Sequence, residues 1–406
     1  MSAKRTAFFR QGCGRQHGAA LMVMLVIMII GAAAILVSAL SSSSLQIERD
    51  RTTADALAQA RDALIGRAVS DNTIPGSLPC PDTNDDGSAE LLSGSNCPSY
   101  IGRLPWKTLG LPELRDGSGE HLWYALSPAF RDDNSAQPLN SNTKGTLLVY
   151  KADGASLQTQ PGYSAVAVIF APGSPVASQT RNTTAQQNDP ANYLDIANGR
   201  NNASPIGTSN PGPFIAGAKT NTFNDQLMII TTQNLIPLVE QRVAGEVKTA
   251  LTNYYNLHHY YPWPDDMTLA ADYDSNEGLN RGWLPYHSLT GSSAEWCCSA
   301  FPAWFYNNQW YTLIYYSVAE YYTADRNDLW CSYCTLTVDS TGGVRALFFM
   351  PGTPIGTLTR SLTSLPDYLE DAQNNDNSND LYVTPTSQAF DRDRLYWLSS
   401  SSTWNQ

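Results

Sequence analysis

The sequence predicts an α+β protein. A long N-terminal helix crosses a membrane, an antiparallel sheet follows it, and a second tandem α+β domain of the same kind completes the chain. Three observations predict this. An uncharged apolar run at 19–40 continues without proline into an amphipathic segment. Short strand-like runs follow at 146–150, 164–170 and 226–231, and helix followed by short strands indicates α+β with an antiparallel sheet. A set of local motifs then recurs in the same order in the second half of the chain.

The first helix starts from length and charge. The run at 19–40 is 22 residues without Asp, Glu, Lys or Arg. As a helix it spans about 33 Å, enough for a hydrocarbon core of about 30 Å. It is longer than the apolar core of a cleaved secretory signal, although the serine run 41–44 beyond it offers a cleavage site. Lys4, Arg5, Arg10 and Arg15 precede it with no acid, so that end is expected to stay in the cytoplasm. Beyond it, Leu57, Ala60, Leu64 and Ala68 recur at helical spacing, until Ile74-Pro75-Gly76 stops the helix.

The repeat defines the rest. "LPCPD" at 78–82 matches "YPWPD" at 261–265, and "GRLPWKTL" at 102–109 matches "RGWLPYHSL" at 281–289. "HLWYAL" at 121–126 matches "QWYTLI" at 309–314, and "VAVIFAPGSPVASQTR" at 166–181 matches "VRALFFMPGTPIGTLTR" at 344–360. "NYLD" at 192–195 matches "DYLE" at 367–370, and Phe223-Asn224-Asp225 matches Phe390-Asp391-Arg392. Chance apolar matches would not stay collinear. A second helix is expected from about 237 to 257, with Val239, Val243, Val247, Leu251 and Tyr254 on one face. The expected divisions are a leader at 1–18, a membrane helix at 19–40, a first domain at 41–232 and a second at 233–406. An Asn/Ser/Gly-rich insertion at about 182–222 lies inside the first domain, and the border falls near 232–236.

A basic leader ending in Gly18, a small residue, then an unbroken apolar helix resembles the class III signal of type IV pilins and type II secretion pseudopilins. The resemblance covers about 50 residues. It implies two pilin-like domains, cleavage by a prepilin peptidase between Gly18 and Ala19, and methylation of Ala19. It also implies assembly with other pilins through the N-terminal helix, from the bacterial inner membrane into a periplasmic or extracellular filament. An ordinary signal anchor that never polymerises is the alternative. Most such proteins carry Glu at the fifth residue after the cut, where this chain has Val23. The large K-type minor pseudopilins, which sit at the filament tip, share that departure. The resemblance therefore implies a minor, non-enzymatic subunit at the tip, acting in assembly initiation or in binding a surface or partner.

Composition narrows the classes further. Without the leader the chain has 21 basic and 37 acidic residues, a net charge of −16. This argues against nucleic acid, which needs clustered Lys and Arg. Six cysteines remain beyond Cys13 in the leader, and in an exported chain disulfides are expected. Cys80–Cys97 would close a loop and stabilise it by roughly 3 kcal/mol. Cys297, Cys298, Cys331 and Cys334 are expected to form two more bridges with pairing open, against zinc or a redox Cys-x-x-Cys. Asp82, Asn84 and Asp86 with Gly87 fit the first half of a Ca2+ loop, since oxygen ligands two residues apart converge on a hard cation. Ser93 stands where a bidentate acid belongs, with Glu90 nearby, and an Asx-capped acidic turn is the competing reading. None of His121, His258, His259 and His287 sits in a catalytic motif, and His258 and His259 read as packed or capping residues. From residue 236 onward stand eight of the ten Trp and 16 of the 21 Tyr. They serve either an enlarged core or an exposed platform for a surface or secreted-protein ligand.

Overall fold

The computed structural model describes residues 17–133, 138–159, 163–177, 179–207, 210–267, 279–285, 300–324, 334–356, 358–376, 379–385 and 393–406; side chains at 17–21, 23 and 31–43 are not described. By its contacts the chain divides into 1–52 and 53–406, and the second unit holds every strand.

The first helix, α1, runs His17–Ser70. Among the described residues no helix is long and apolar enough to cross a membrane. This corrects the expected membrane helix at 19–40, and with it the expected fold class of membrane-anchored pilin-like domains. From Glu48 onward α1 carries alternating acids and bases. Its segment within 53–406 is amphipathic and buries Ala56, Leu57, Ala60, Leu64 and Ala68. Asp71 stops it. The Asp71 carboxylate accepts N–H bonds from Thr73 and Ile74, at 2.8 and 2.7 Å, and pairs with Arg67 one turn back.

The strands in chain order are β1 (Ile101–Arg103), β2 (Trp123–Leu126), β3 (Leu148–Tyr150), β4 (Ala165–Ala171), β5 (Ile196–Ala197), β6 (Arg200–Asn201), β7 (Pro213–Ile215) and β8 (Gln226–Thr231), with a short helix α2 (Thr184–Gln187) before β5. An antiparallel sheet has the order β1-β2-β4-β8. Helix α3 (Thr232–His258) follows β8 without a linker. Thr231 and Asn234 close a capping box at its start, so it begins five residues before the Pro237 start expected from the apolar pattern. At its other end His259 takes a left-handed conformation and donates its N–H to Tyr255 O. After it come β9 (Arg281–Trp283), α4 (Ala303–Asn307), β10 (Tyr315–Val318), β11 (Leu336–Val338), β12 (Thr341–Val344), β13 (Ala346–Met350), β14 (Leu381–Tyr382), β15 (Arg394–Leu398) and β16 (Trp404–Asn405). The second antiparallel sheet reads β9-β10-β13-β15-β16.

The two sheets repeat one hydrogen-bond pattern. Asp82 and Arg103 exchange N–H···O bonds, as do Asp265 and Trp283. Leu104 N–H goes to Leu122 O, and Leu284 N–H to Ile314 O. Gly102 and Gly282 explain why glycine recurs: a Cβ at Gly102 would sit 2.5 Å from Asp82 O, and one at Gly282 would sit closer still to Asp265 O. Two matched segments are shifted by the structure. Trp123–Leu126 corresponds to Tyr315–Val318, because the "QWYTLI" segment lies largely in a 3-10 turn at Trp310–Leu313. Asp225 corresponds to Asp393, not Arg392: the Asp225 carboxylate accepts from Asp195 N–H, and that of Asp393 from Glu370 N–H.

Both sheets are covered on both faces, so all seven residues of β4 and all five of β13 are buried. The insertion covers the outer face of the first sheet, where Tyr193, Leu194 and Phe214 pack on Trp123, Val168 and Phe170. In the second half a small sheet β12-β11-β14 is present, and its Val338 and Tyr382 join the same core as Trp283, Tyr315, Phe349 and Tyr368. The aromatic excess is therefore largely core. Among the described residues the one aromatic side chain more than half exposed is Tyr321. Tyr273, Tyr286, Trp296, Trp330, Tyr333 and Phe390 lie outside the described residues.

Candidate functional site

Gly18 and Ala19 lie in the first turn of α1. Cys80 and Cys97 form a disulfide that closes the acidic loop. Cys334 is disulfide-bonded, while Cys297, Cys298 and Cys331 lie outside the described residues.

The acidic loop folds on its own side chains. Asp82 is buried, and its Oδ1 accepts from the N–H groups of Asn84 and Asp85 at 3.0 and 2.7 Å. Its Oδ2 accepts from Gly87 N–H at 2.7 Å. Asn84 Oδ1 takes Asp86 N–H, and Asp86 Oδ1 takes Ser88 N–H. Glu90 is turned to Thr83, and Ser93 bonds only backbone of Asn96. The carboxylate and amide oxygens proposed for Ca2+ are thus engaged by the loop's own amides, which is an Asx-capped turn. Among the described residues no three His, Cys, Asp or Glu side chains are placed to hold an ion. These amide bonds leave the Asp82, Asn84 and Asp86 oxygens with further lone pairs, and the site is not used in the reading of function.

Beside that loop lies a charge cluster that motif reading did not find. His121 Nδ1 stands 2.7 Å from Asp85 Oδ1, and its Nε2 contacts Glu113 Oε1. Arg103 Nε lies 3.1 Å from the same Asp85 oxygen, and Arg115 pairs with Glu113. A neutral imidazole has one N–H and one lone pair, so two carboxylate partners require the imidazolium. The bond from Asp85 raises the His121 pKa, burial opposes it, and the charges of Asp85 and the bond from Glu113 add to the rise. The partners lie 36 and 8 residues away in sequence, which no local pattern reveals. Arg103 also stacks 5.0 Å from the Trp123 ring centroid and 4.8 Å from that of Tyr193. His258 packs 4.4 Å from the Tyr254 ring, as the packing reading expects.

A concavity lies along the seam between the two halves of 53–406. Glu240 on α3 is wholly buried there. It accepts from Ser141 Oγ, from Gly352 N–H at 2.9 Å, and from Arg394 Nη1. Burial raises its pKa, and Arg394 and Ser141 work against that rise. Leu139 N–H and the Asn140 side-chain amide reach Asn308 at 3.0 and 2.8 Å. Lys144 Nζ donates to Gly356 O and Leu358 O, both at 3.1 Å. Arg360 donates from Nη1 to Asn142 Oδ1 at 2.8 Å, from Nη2 to Pro351 O at 2.6 Å, and from Nε to Asp367 O at 2.9 Å.

These ties frame a cleft of about 740 Å³. Its lining includes three cations, Arg131, Lys144 and Arg360, with Asn140, Gln309 and Thr312, and among the described residues no acid. Burial pushes the Arg360 pKa down, and the charges of Glu240, Asp393 and Glu370 partly restore it; none of those three lines the cleft. No local motif marks this site, because its walls come from segments more than 160 residues apart. No protein-family model, curated protein or solved structure matches the chain.

Proposed function

We propose that this chain is a non-catalytic minor subunit of a type IV pilus or type II secretion-like filament, processed after Gly18 and placed at the filament tip. The observation that carries the reading is a basic leader that opens at Gly18 onto one uninterrupted helix, His17–Ser70, whose far end packs into a core with antiparallel sheets. Val23 supports the tip position, since the carboxylate expected to meet a subunit above is replaced by an apolar side chain. The bulk beyond the helix supports it too: residues 53–406 form one unit, large for a subunit repeated along a shaft.

A second reading, a binding protein that never polymerises, draws on the cationic cleft. Gold labelling of a C-terminal tag separates the two. The proposal expects label at filament ends. Label along the shaft removes the tip assignment, and filaments without label remove the filament reading. Val23→Glu is expected to impair assembly; parental assembly in that variant would mean that Val23 carries no positional information.

A further inference from the structure

We propose that the seam cleft is a binding site for a small polyhydroxylated anion, a sugar bearing a carboxylate or a phosphate. The inference is independent of the filament reading.

Charge is the first argument. The chain holds 37 acids against 25 bases, yet among the described residues the cleft lining includes Arg131, Lys144 and Arg360 and no carboxylate, with Arg131 alone ion-paired, to Asp133 behind the lining. In an acidic protein such a patch is the place where an anion is attracted rather than repelled.

Donor capacity is the second. Arg360 has five N–H groups, and its three bonds within the protein go to neutral oxygens. Lys144 has three N–H groups and gives two to neutral carbonyls. Both cations are thus held in place by the opposite wall while their charge is left without a carboxylate in these bonds. A ligand oxyanion is the acceptor that would make the shorter, charge-assisted bonds such groups form. Arg131 differs: it shares its guanidinium with Ser95 O and Pro128 O and pairs with Asp133, which offsets its charge, so Lys144 and Arg360 are the cations that carry the argument.

Shape and lining are the third. A volume of about 740 Å³ suits a ligand of one to three sugar rings. Asn140, Asn142, Thr143, Gln309, Thr312 and Thr359 present amides and hydroxyls, which match a ligand rich in hydroxyls rather than an apolar one. Because both halves supply walls, an occupant would bridge them.

Calorimetric titration of the full chain with glucuronate, glucose 6-phosphate and glucose tests the proposal. At least one of the two anions is expected to bind, with glucose silent at the same concentration, and the anion that binds identifies the acid group. Lys144 is exposed, so Lys144→Ala should fold normally while weakening that binding about tenfold. Affinity should also fall as salt rises. The proposal is overturned if neither anion gives more heat than glucose, or if Lys144→Ala binds as the parent does.

Discussion

Glu240 is where the two halves are held together most specifically. Replacing it with alanine removes a carboxylate with no solvent exposure and leaves three donors behind: Ser141 Oγ, Gly352 N–H and Arg394. Breaking a buried ion pair by deleting one partner costs about 3–5 kcal/mol. The Arg394 side chain is 27% exposed and keeps part of its hydration, so the low end, about 3 kcal/mol, applies to the pair. The buried Gly352 N–H adds about 1 kcal/mol for its lost acceptor. The expected loss is about 4 kcal/mol, a large share of the roughly 5–15 kcal/mol that holds a domain folded. Glu240→Gln keeps an acceptor for Gly352 and should lose about half as much. Guanidinium unfolding followed by tryptophan fluorescence and by far-ultraviolet circular dichroism measures both. The two signals should shift together, since residues 53–406 form one compact unit and its larger core cluster draws on both halves. A loss below about 1 kcal/mol for Glu240→Ala, or unfolding in which one half melts and the other stays, would refute the reasoning.

Three further perturbations follow from other elements. Gly282→Ala should destabilise by at least about 2 kcal/mol in the same unfolding assay, because the new Cβ meets the Asp265 backbone rather than a movable side chain; an unchanged midpoint counts against the shared strand pattern. His121 has a raised pKa, so its contribution is complete below the unfolded value and is lost as pH rises through the folded value. Stability of the parent should therefore fall across that window, and His121→Gln should flatten the fall; identical pH profiles would remove the imidazolium from the account. Asp71 is held down to about 2: burial alone would raise it, but the amides of Ile74 and Thr73 and the Arg67 guanidinium prevail. Its contribution, about 2 kcal/mol, is present above the unfolded carboxylate pKa and should disappear on acidification from about pH 5 to pH 1, and Asp71→Asn should lose that acid dependence.

Local patterns were readable where the physics is local. The helical stripes ending at Ala68 and Tyr254 are buried, and the cysteines flanking the acidic loop are bonded. The recurring glycine marked a place where two backbones touch. Register was less readable, because "WY" occurs both in a strand at Trp123-Tyr124 and in a 3-10 turn at Trp310-Tyr311. The border expected at 232–236 is the first turn of α3, which a capping box of Thr231 and Asn234 opens directly after β8. Length and absence of charge carried the expectation at 19–40, whereas among the described residues no helix is long and apolar enough to cross a membrane. The His121 cluster and the seam cleft escaped because their members meet only in the fold, across separations of up to 214 residues.

The filament reading turns on the amino terminus of the mature chain, and mass spectrometry of the protein isolated from its native cells reads it directly. The account predicts a chain beginning at Ala19 with an N-methyl group. An intact leader, or a chain beginning beyond the serine run 41–44, would contradict it.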